Sequence, residues 1–294
     1  MNERARQRLH QIERAVRPSA TAHLRQVDAL TTGLESLRRS IDDQAAEIRA
    51  LRVELAALTG QAAPASLTSE VVDTRNARYD QLTGEVIDRV LADGANAIDV
   101  GAHVGDILVR ILAVSPGGTH VGFEPLPHLA DTLRRRFPGV EIHDVALSDA
   151  EGEVEFHHVV DSPAFSGIRQ RRLESDDALV QKISVRMARL DDMVPVDRPV
   201  AFLKIDVEGA ELGVLRGGKE LIRRHRPVTV FEFGLGASDI YGTTPADIHG
   251  FFAERGMEVS LLDGWLAGRP PLGLAELTRQ YDVCENFYFL AHPR

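Results

Sequence analysis

A short apolar run that ends on an acid and then turns through two glycines is the first chemical signal in this chain. Asp99 closes the run, Gly101 and Gly105 follow it, and a segment with the apolar spacing of a helix begins at Asp106. Glycines at such a turn let the backbone approach a ligand closely, and ligands of open α/β sheets bind at the carboxyl ends of the strands. The pattern therefore predicts a nucleotide-type binding site.

A second acid stands where the ribose of a bound nucleoside would lie. Glu124 ends another apolar run about 19 residues after Gly105, as expected for an acid that binds ribose hydroxyls. Because Ala102 and His103 follow Gly101, the chain lacks the G-x-G-x-x-G spacing of dinucleotide sites, which disfavours a nicotinamide-dependent oxidoreductase. An acid before the turn would repel a pyrophosphate but suits the amino and sulfonium groups of S-adenosylmethionine.

Four segments, in this order, resemble the signatures of the FkbM family of methyltransferases: Asp99–Gly105, Phe123–Pro127, Ala146–Asp149 with Gly152, and Leu203–Glu211. The resemblance implies a class I methyltransferase (Rossmann-like) fold, a doubly wound α/β sheet that uses S-adenosylmethionine. It also implies methylation of a hydroxyl on a sugar, glycan or secondary metabolite. The chain departs from the family at His103, where Asn is more frequent, and at Leu126, which replaces a small polar residue.

Six residues are predicted to contact the cofactor. Asp99 and Gly101 would meet the methionine end and Gly105 would form the turn, while Glu124 would bind the ribose. Asp144 would accept from the adenine amino group, at a position where the family usually has Asn. His103 either touches the cofactor or acceptor or is a plain polar residue of the turn. The complete set is Asp99, Gly101, His103, Gly105, Glu124 and Asp144.

Methyl transfer to an alcohol calls for a general base or for a metal that lowers the pKa of the hydroxyl. Asp206 and Glu232 end neighbouring predicted strands, so their carboxylates should converge, and Glu208 lies in the loop after Asp206. Asp206 is the first choice for the base and Glu208 the second, with Glu232 supporting or binding the acceptor. Mg²⁺ is possible but not favoured, because Asp206 and Glu232 alone are a thin ligand set. Glu211 is explained more simply by its charge near a helix N-terminus.

The charge and composition of the chain limit the classes of partner that it can bind. The 294-residue chain has a formal charge of −10, which argues against a nucleic-acid or anionic-membrane surface. Its single cysteine, Cys284, cannot form an internal disulfide. The N-terminus has no apolar signal core, and no apolar run approaches the roughly 18 residues of a spanning helix. These features predict a cytoplasmic protein without a membrane span.

Residues 1–62 have a different sequence pattern from the rest of the chain. Apolar residues recur in alternating steps of three and four over residues 20–58, which predicts a coiled-coil helix. Its narrow apolar stripe needs either a second copy of the chain or a groove on the second domain, and we favour the homo-oligomer. We therefore divide the chain into a helical segment with its linker, residues 1–62, and a methyltransferase-like domain, residues 63–294. The alternative function is a coiled-coil assembly protein whose α/β domain binds cofactor without turnover. It is disfavoured because a site without turnover has no physical need to keep Asp99, Gly101, Gly105, Glu124 and Asp206 together.

Strand and helix signals alternate over the second domain. Helices are predicted at 79–92, 105–114, 127–136, 209–224 and 245–255, and strands at 96–100, 119–124, 140–145, 200–205, 227–233, 257–262 and 286–291. Residues 153–159 and 183–187 alternate polar and apolar as a β-hairpin insertion would. The polar stretch 161–181 between them is either a lid or a surface loop. Tyr241 and Trp265 either line an acceptor pocket or seal the core.

Overall fold

The computed structural model describes residues 69–159, 166–169 and 179–294. The predicted coiled coil, the domain boundary at residue 62 and most of the polar stretch 161–181 lie outside these ranges. Within them, strands and helices alternate as predicted for a doubly wound α/β domain. None of the helices in these ranges is both long and apolar enough to cross a membrane.

The strands, in chain order, are β1 (Ala97–Val100), β2 (Val121–Phe123), β3 (Glu141–His143), β4 (Ala146–Leu147), β5 (Gly152–Val159), β6 (Val180–Ala188), β7 (Phe202–Ile205), β8 (Val228–Glu232), β9 (Met257–Ser260) and β10 (Tyr288–Pro293). The helices are α1 (Ser69–Val90), α2 (Asp106–Val114), α3 (Pro127–Arg136), α4 (Leu190–Met193), α5 (Glu211–Gly217), α6 (Lys219–His225), α7 (Pro245–Ala253), α8 (Leu262–Leu266) and α9 (Leu274–Asp282). A 3-10 helix, Ser238–Tyr241, follows β8.

A seven-stranded sheet with the order β3-β2-β1-β7-β8-β10-β9 forms the centre of the domain. The strands from β3 to β8 in this order run parallel, whereas β10 runs antiparallel to both of its neighbours. Every residue of β1 and of β7 is buried, as expected for parallel strands with both faces covered. The strand order changes direction between β1 and β7, which is where such sheets bind ligands.

Two apolar layers cover the sheet. One contains Val86 of α1, Ile111 of α2 and Leu133 of α3, packed with Ala97 and Phe202 of the strands. The other contains buried residues of β1, α5, α6 and α7, namely Ile98, Leu215, Ile222 and Phe252. Because successive strand residues point to opposite faces, Ala97 and Ile98 enter different layers. The same alternation determines which side chains at the strand ends share a face at the carboxyl edge of the sheet.

The predicted β-hairpin insertion is confirmed. β5 and β6 pair antiparallel over Gly152–Val159 and Val180–Ala188, and β4 pairs parallel with β6 to complete a separate three-stranded sheet. Phe156 and Val185 of the hairpin pack on Leu126, which follows β2. This apolar contact explains why a leucine occupies position 126.

The helix predicted over 209–224 is interrupted and forms α5 and α6. A Cβ on Gly217 would lie 2.0 Å from the carbonyl oxygen of Ser148, and one on Gly218 would lie 2.7 Å from the Leu190 side chain. The chain therefore passes too close to its neighbours here for larger residues.

The last strand enters the sheet antiparallel, as the family resemblance implied. Tyr288 pairs with Glu232 of β8, and Leu290 pairs with Val230 and with Ser260 of β9. Two short helices, α8 and α9, lie between β9 and β10, where the sequence shows no clear long helix. Tyr288 thereby comes to the carboxyl end of β8.

Candidate active site

Gly101 begins the turn after β1 with a backbone φ of +79°. A Cβ at this position would lie 1.9 Å from the carbonyl oxygen of Asp206, so a glycine is needed for the ends of β1 and β7 to pack. Gly105, which precedes α2, has a φ of +88°, and a Cβ there would lie 2.4 Å from the ring of Phe137. From the sequence, both glycines were expected to admit a ligand. In the structure, protein atoms occupy the space that each one leaves.

Glu124 joins the ends of β1 and β2. Its Oε2 accepts a hydrogen bond from the backbone N–H of His103, and its Oε1 accepts one from Leu126, each at 2.9 Å. The side chain is buried, and this burial raises the pKa of Glu124 to about 7 although both backbone donors lower it. His103 has a φ of +47°, a conformation that His and Asn adopt more readily than most residues. Burial and the nearby Lys204 lower the pKa of its ring.

Asp99 is fully buried, and neither of its carboxylate oxygens has a hydrogen-bond partner. Lys204 Nζ lies 4.0 Å from Asp99 Oδ1, beyond hydrogen-bond distance. Burial raises the pKa of Asp99 to about 6, despite the attraction of Lys204. Buried polar atoms in folded proteins are nearly always paired, so these two oxygens indicate a missing donor such as a ligand amine.

Asp206, at the end of β7, is held by two donors. Its Oδ2 lies 3.1 Å from Lys204 Nζ and accepts a hydrogen bond of 2.6 Å from the Tyr288 hydroxyl. Burial alone would raise the pKa of Asp206, but Lys204, Tyr288 and a hydrogen bond from Glu232 together lower it below its usual value. These donors therefore favour the ionised form of Asp206.

The loop after Asp206 has an unusual backbone. Glu208 is buried with a φ of +59°, which is rare for a residue with a side chain, and Gly209 follows with a φ of +102°. Glu211 stabilises the loop, since its Oε1 accepts hydrogen bonds of 3.1 Å from the N–H groups of Val207 and Gly209. Strained backbone persists only where the surroundings enforce it, and it is concentrated at functional sites.

The structure brings together the three predicted catalytic residues. Asp206, Glu208 and Glu232 each offer a carboxylate oxygen, and these oxygens lie within 4.8 Å of one another. From the sequence, a metal was disfavoured for want of ligands beyond Asp206 and Glu232; the geometry adds Glu208 to that set. Oxygens of this kind suit Mg²⁺, and they equally suit proton transfer from an acceptor hydroxyl.

The described part of the insertion reaches the same edge of the sheet. Gly167 exchanges two backbone hydrogen bonds with His157, and a Cβ on Gly167 would lie 3.5 Å from Glu208 Cβ and 3.7 Å from the Tyr241 hydroxyl. The Arg169 N–H donates to that hydroxyl at 2.8 Å. Of the two aromatic residues considered for an acceptor pocket, Tyr241 therefore lies beside the carboxylates.

The remaining residues lie away from this edge or already have partners. Trp265 contacts Arg89 and His292. His292 pairs with Glu258 near the amino end of β9, so it lies away from the carboxyl edge of the sheet. Asp144 is half exposed and accepts a hydrogen bond of 2.6 Å from Arg134, which lowers its pKa. Its contact with adenine stays a prediction.

Tyr288 was not identified from the sequence as a residue of the site. Tyr288 stacks on Tyr79 of α1, with ring centroids 5.0 Å apart, so its hydroxyl is aimed by a helix and a strand that are distant in sequence. Tyr288 lies close to Asp206 because β10 pairs with β8. No local spacing in the sequence encodes that arrangement.

Replacing Glu211 tests its structural role. Because both hydrogen bonds fall on Oε1, Glu211→Gln retains an acceptor for them, whereas Glu211→Ala leaves two N–H groups unpaired and should cost about 2 kcal/mol or more. Burial raises the pKa of Glu211 to about 7, so its stabilising contribution is lost as pH rises from its unfolded value of 4.5 through 7. Glu211→Gln should therefore be more stable than wild type at pH 8 by roughly 2 kcal/mol, and less so at pH 5. Urea unfolding at both pH values measures this difference; equal differences at the two pH values would contradict it.

Comparison with known proteins connects this geometry to a family. The methyltransferase FkbM domain model matches residues 99–259, more than half of the chain. Similar curated proteins include the AMB antimetabolite synthetase AmbE of Pseudomonas aeruginosa, 31% identical over 166 residues that cover 44% of this chain and 8% of AmbE. The 2-O-methyltransferase NoeI of Sinorhizobium fredii is 28% identical over 144 residues, which cover 44% of this chain and 59% of NoeI.

Methyltransferase 1 of Beauveria bassiana is 30% identical over 146 residues, which cover 42% of this chain and 59% of that protein. The matches thus span between 8% and about three fifths of these relatives' lengths. A solved structure of methyltransferase FkbM from Methylobacillus flagellatus aligns with a TM-score of 0.43 and 17% identity, covering 69% of this chain and 44% of that one. From the family match over residues 99–259, with the strand-end acids in place, the chain belongs to the FkbM methyltransferase domain family.

Proposed function

We propose that this protein is an S-adenosylmethionine-dependent O-methyltransferase that acts on a hydroxyl of a sugar, glycan or secondary metabolite. The observation that carries the proposal is the buried Asp99 carboxylate, whose two oxygens lack hydrogen-bond partners at the strand ends where such folds bind ligands. The family match supports the reaction class. The relative NoeI, named a 2-O-methyltransferase, supports oxygen as the methylated atom.

The residues present fit this cofactor. Asp99 offers unpaired oxygens to an ammonium group, and each oxygen of Glu124 uses one lone pair on a backbone N–H, which leaves the other for a ribose hydroxyl. Gly101, His103 and Gly105 form the turn beside them, and Asp144 is assigned to the adenine amino group. When bound, S-adenosylmethionine supplies an activated methyl group on a sulfonium.

The chain must supply a group that takes the proton from the acceptor hydroxyl. Asp206 was the first choice from sequence, but Lys204 and Tyr288 both bind its Oδ2 and its lowered pKa makes it a weak base at neutral pH. We assign the base to Glu208, which a strained and well-supported loop holds beside Asp206. Asp206 and Glu232 then orient the acceptor and contribute negative charge around it.

Calorimetric binding of S-adenosylhomocysteine and of NAD to wild type and to Glu124→Ala tests the cofactor assignment. Wild type should bind S-adenosylhomocysteine and not NAD, and the substitution should weaken binding at least about tenfold because it removes a charged acceptor of hydroxyl hydrogen bonds. Binding of neither ligand by wild type would overturn the proposal. A screen of sugars and hydroxylated metabolites with radiolabelled S-adenosylmethionine then identifies the acceptor.

The pH dependence of that binding follows from Glu124. Burial raises the pKa of the free carboxyl to about 7, and hydroxyl donors prefer its ionised form, so protons compete with the ligand below pH 7. Asp99, with a pKa raised by burial to about 6, acts in the same direction. Affinity for S-adenosylhomocysteine should fall severalfold between pH 8 and pH 6, and Glu124→Gln should flatten most of this change. An affinity that rises toward pH 6 would contradict the assignment.

A further inference from the structure

Lys204 lies between two carboxylates of the candidate cofactor site, the buried Asp99 and the partly exposed Asp206. Its Nζ is 3.1 Å from Asp206 Oδ2 and 4.0 Å from Asp99 Oδ1, and both Lys204 and Asp99 are buried. Two carboxylates and one ammonium leave this cluster with a net negative charge. Because Lys204 and Asp99 are buried, that balance acts on a ligand more strongly than surface charges would.

Other charged groups add to the net negative charge around this cluster. Asp80 of α1 acts electrostatically on Lys204, and Asp106 at the start of α2 acts on Asp99. Tyr288 contacts Asp206 from β10 but carries no charge, since burial and the neighbouring acids raise its pKa well above the usual value. Within the described residues around Asp99, Lys204 is thus the cation that opposes these acids.

The two ligands of a methyl-transfer cycle differ in charge at one atom. S-adenosylmethionine carries a positive sulfonium, and S-adenosylhomocysteine has a neutral thioether in its place. A site with surplus negative charge favours the first, and each additional buried charge changes that preference. A protein that must bind one and release the other therefore depends on its local charge balance.

We propose that Lys204 sets how strongly this site prefers S-adenosylmethionine over S-adenosylhomocysteine, by offsetting one of the two carboxylates beside it. The inference rests on the proposed function. Without Lys204 the cluster would hold the sulfonium form more tightly relative to the product. Without Asp206 it would lose that preference and retain the product.

Four proteins form a charge series for this test: wild type, Lys204→Met, Asp206→Asn and the double variant Lys204→Met/Asp206→Asn. Calorimetry at pH 8 gives the dissociation constant of each ligand. We expect the ratio of the S-adenosylhomocysteine constant to the S-adenosylmethionine constant to fall about tenfold in Asp206→Asn. It should rise in Lys204→Met, but by less than about tenfold, because Asp99 binds a proton more readily without the attraction of Lys204. The double variant, which restores the wild-type charge, should return within about threefold of wild type.

Tyr288→Phe is the matched control, because it removes a donor from Asp206 without changing the charge. It should leave the ratio within about threefold of wild type even if both affinities fall. Should Lys204→Met fail to fold, as judged by thermal unfolding, Asp206→Asn and the double variant still carry the test. A ratio that stays constant across the series would overturn this inference alone. Failure of wild type to bind either ligand would overturn the proposed function and the inference with it.

Discussion

Gly101→Ala should reduce the free energy of unfolding by about 4 kcal/mol and abolish binding of S-adenosylhomocysteine. The new Cβ would lie 1.9 Å from the carbonyl oxygen of Asp206, and the backbone φ of +79° is itself unfavourable for alanine. Relief requires the ends of β1 and β7 to separate, which moves Asp99 away from Lys204. Urea unfolding and calorimetry measure the two losses.

Gly94→Ala provides the control for backbone strain. Gly94 has a φ of +83°, close to that of Gly101, but nothing lies within 4 Å of its Cβ position. This variant should lose only about 1 kcal/mol and bind the ligand normally. Equal losses in both variants would show that φ, and not the contact with Asp206, determines the need for glycine at position 101.

Glu208→Gln should lower the rate of methyl transfer about 100-fold or more, because a general base typically contributes at least that much. The amide has nearly the same size as the carboxyl group, so the buried side chain and its loop should keep their structure. Binding of S-adenosylhomocysteine should change less than about twofold, since only the proton acceptor is lost. The rate is measured with radiolabelled S-adenosylmethionine and the acceptor found in the screen.

Glu254→Gln serves as the comparison, because Glu254 is an exposed carboxylate at the end of α7. It should retain the wild-type rate. A Glu208→Gln protein that transfers methyl groups normally would return the base assignment to Asp206 or Glu232. A loss of rate accompanied by an equal loss of ligand affinity would indicate collapse of the loop instead.

Much of the sheet and several acids of the site could be predicted from local pattern. Buried parallel strands are short apolar runs, and an acid at the end of such a run falls on the ligand edge, which locates Asp99, Glu124, Asp206 and Glu232. The hairpin insertion followed from alternation of polar and apolar residues. These features depend on neighbours in the sequence.

The features that sequence reasoning missed depend on long-range contacts. Gly101 is required by the backbone of Asp206, more than 100 positions away, and Tyr288 reaches Asp206 only because β10 pairs with β8. The supporting role of Glu211 depends on the positive φ values of Glu208 and Gly209. Strain and side-chain hydrogen bonding of this kind leave no periodic signal in a single sequence.

The position of β10 between β8 and β9 also sets the order in which the domain can be completed during synthesis. β1, β2, β3, β7 and β8 emerge from the ribosome first, but β9 joins the sheet through β10, which follows both in sequence. Until residues 288–293 are available, the edges of β8 and β9 have unpaired backbone groups that invite pairing with other chains. Since Tyr288 begins β10, the donor to Asp206 arrives in the same final event. A nascent chain should therefore be most prone to aggregate just before it becomes able to bind its ligand.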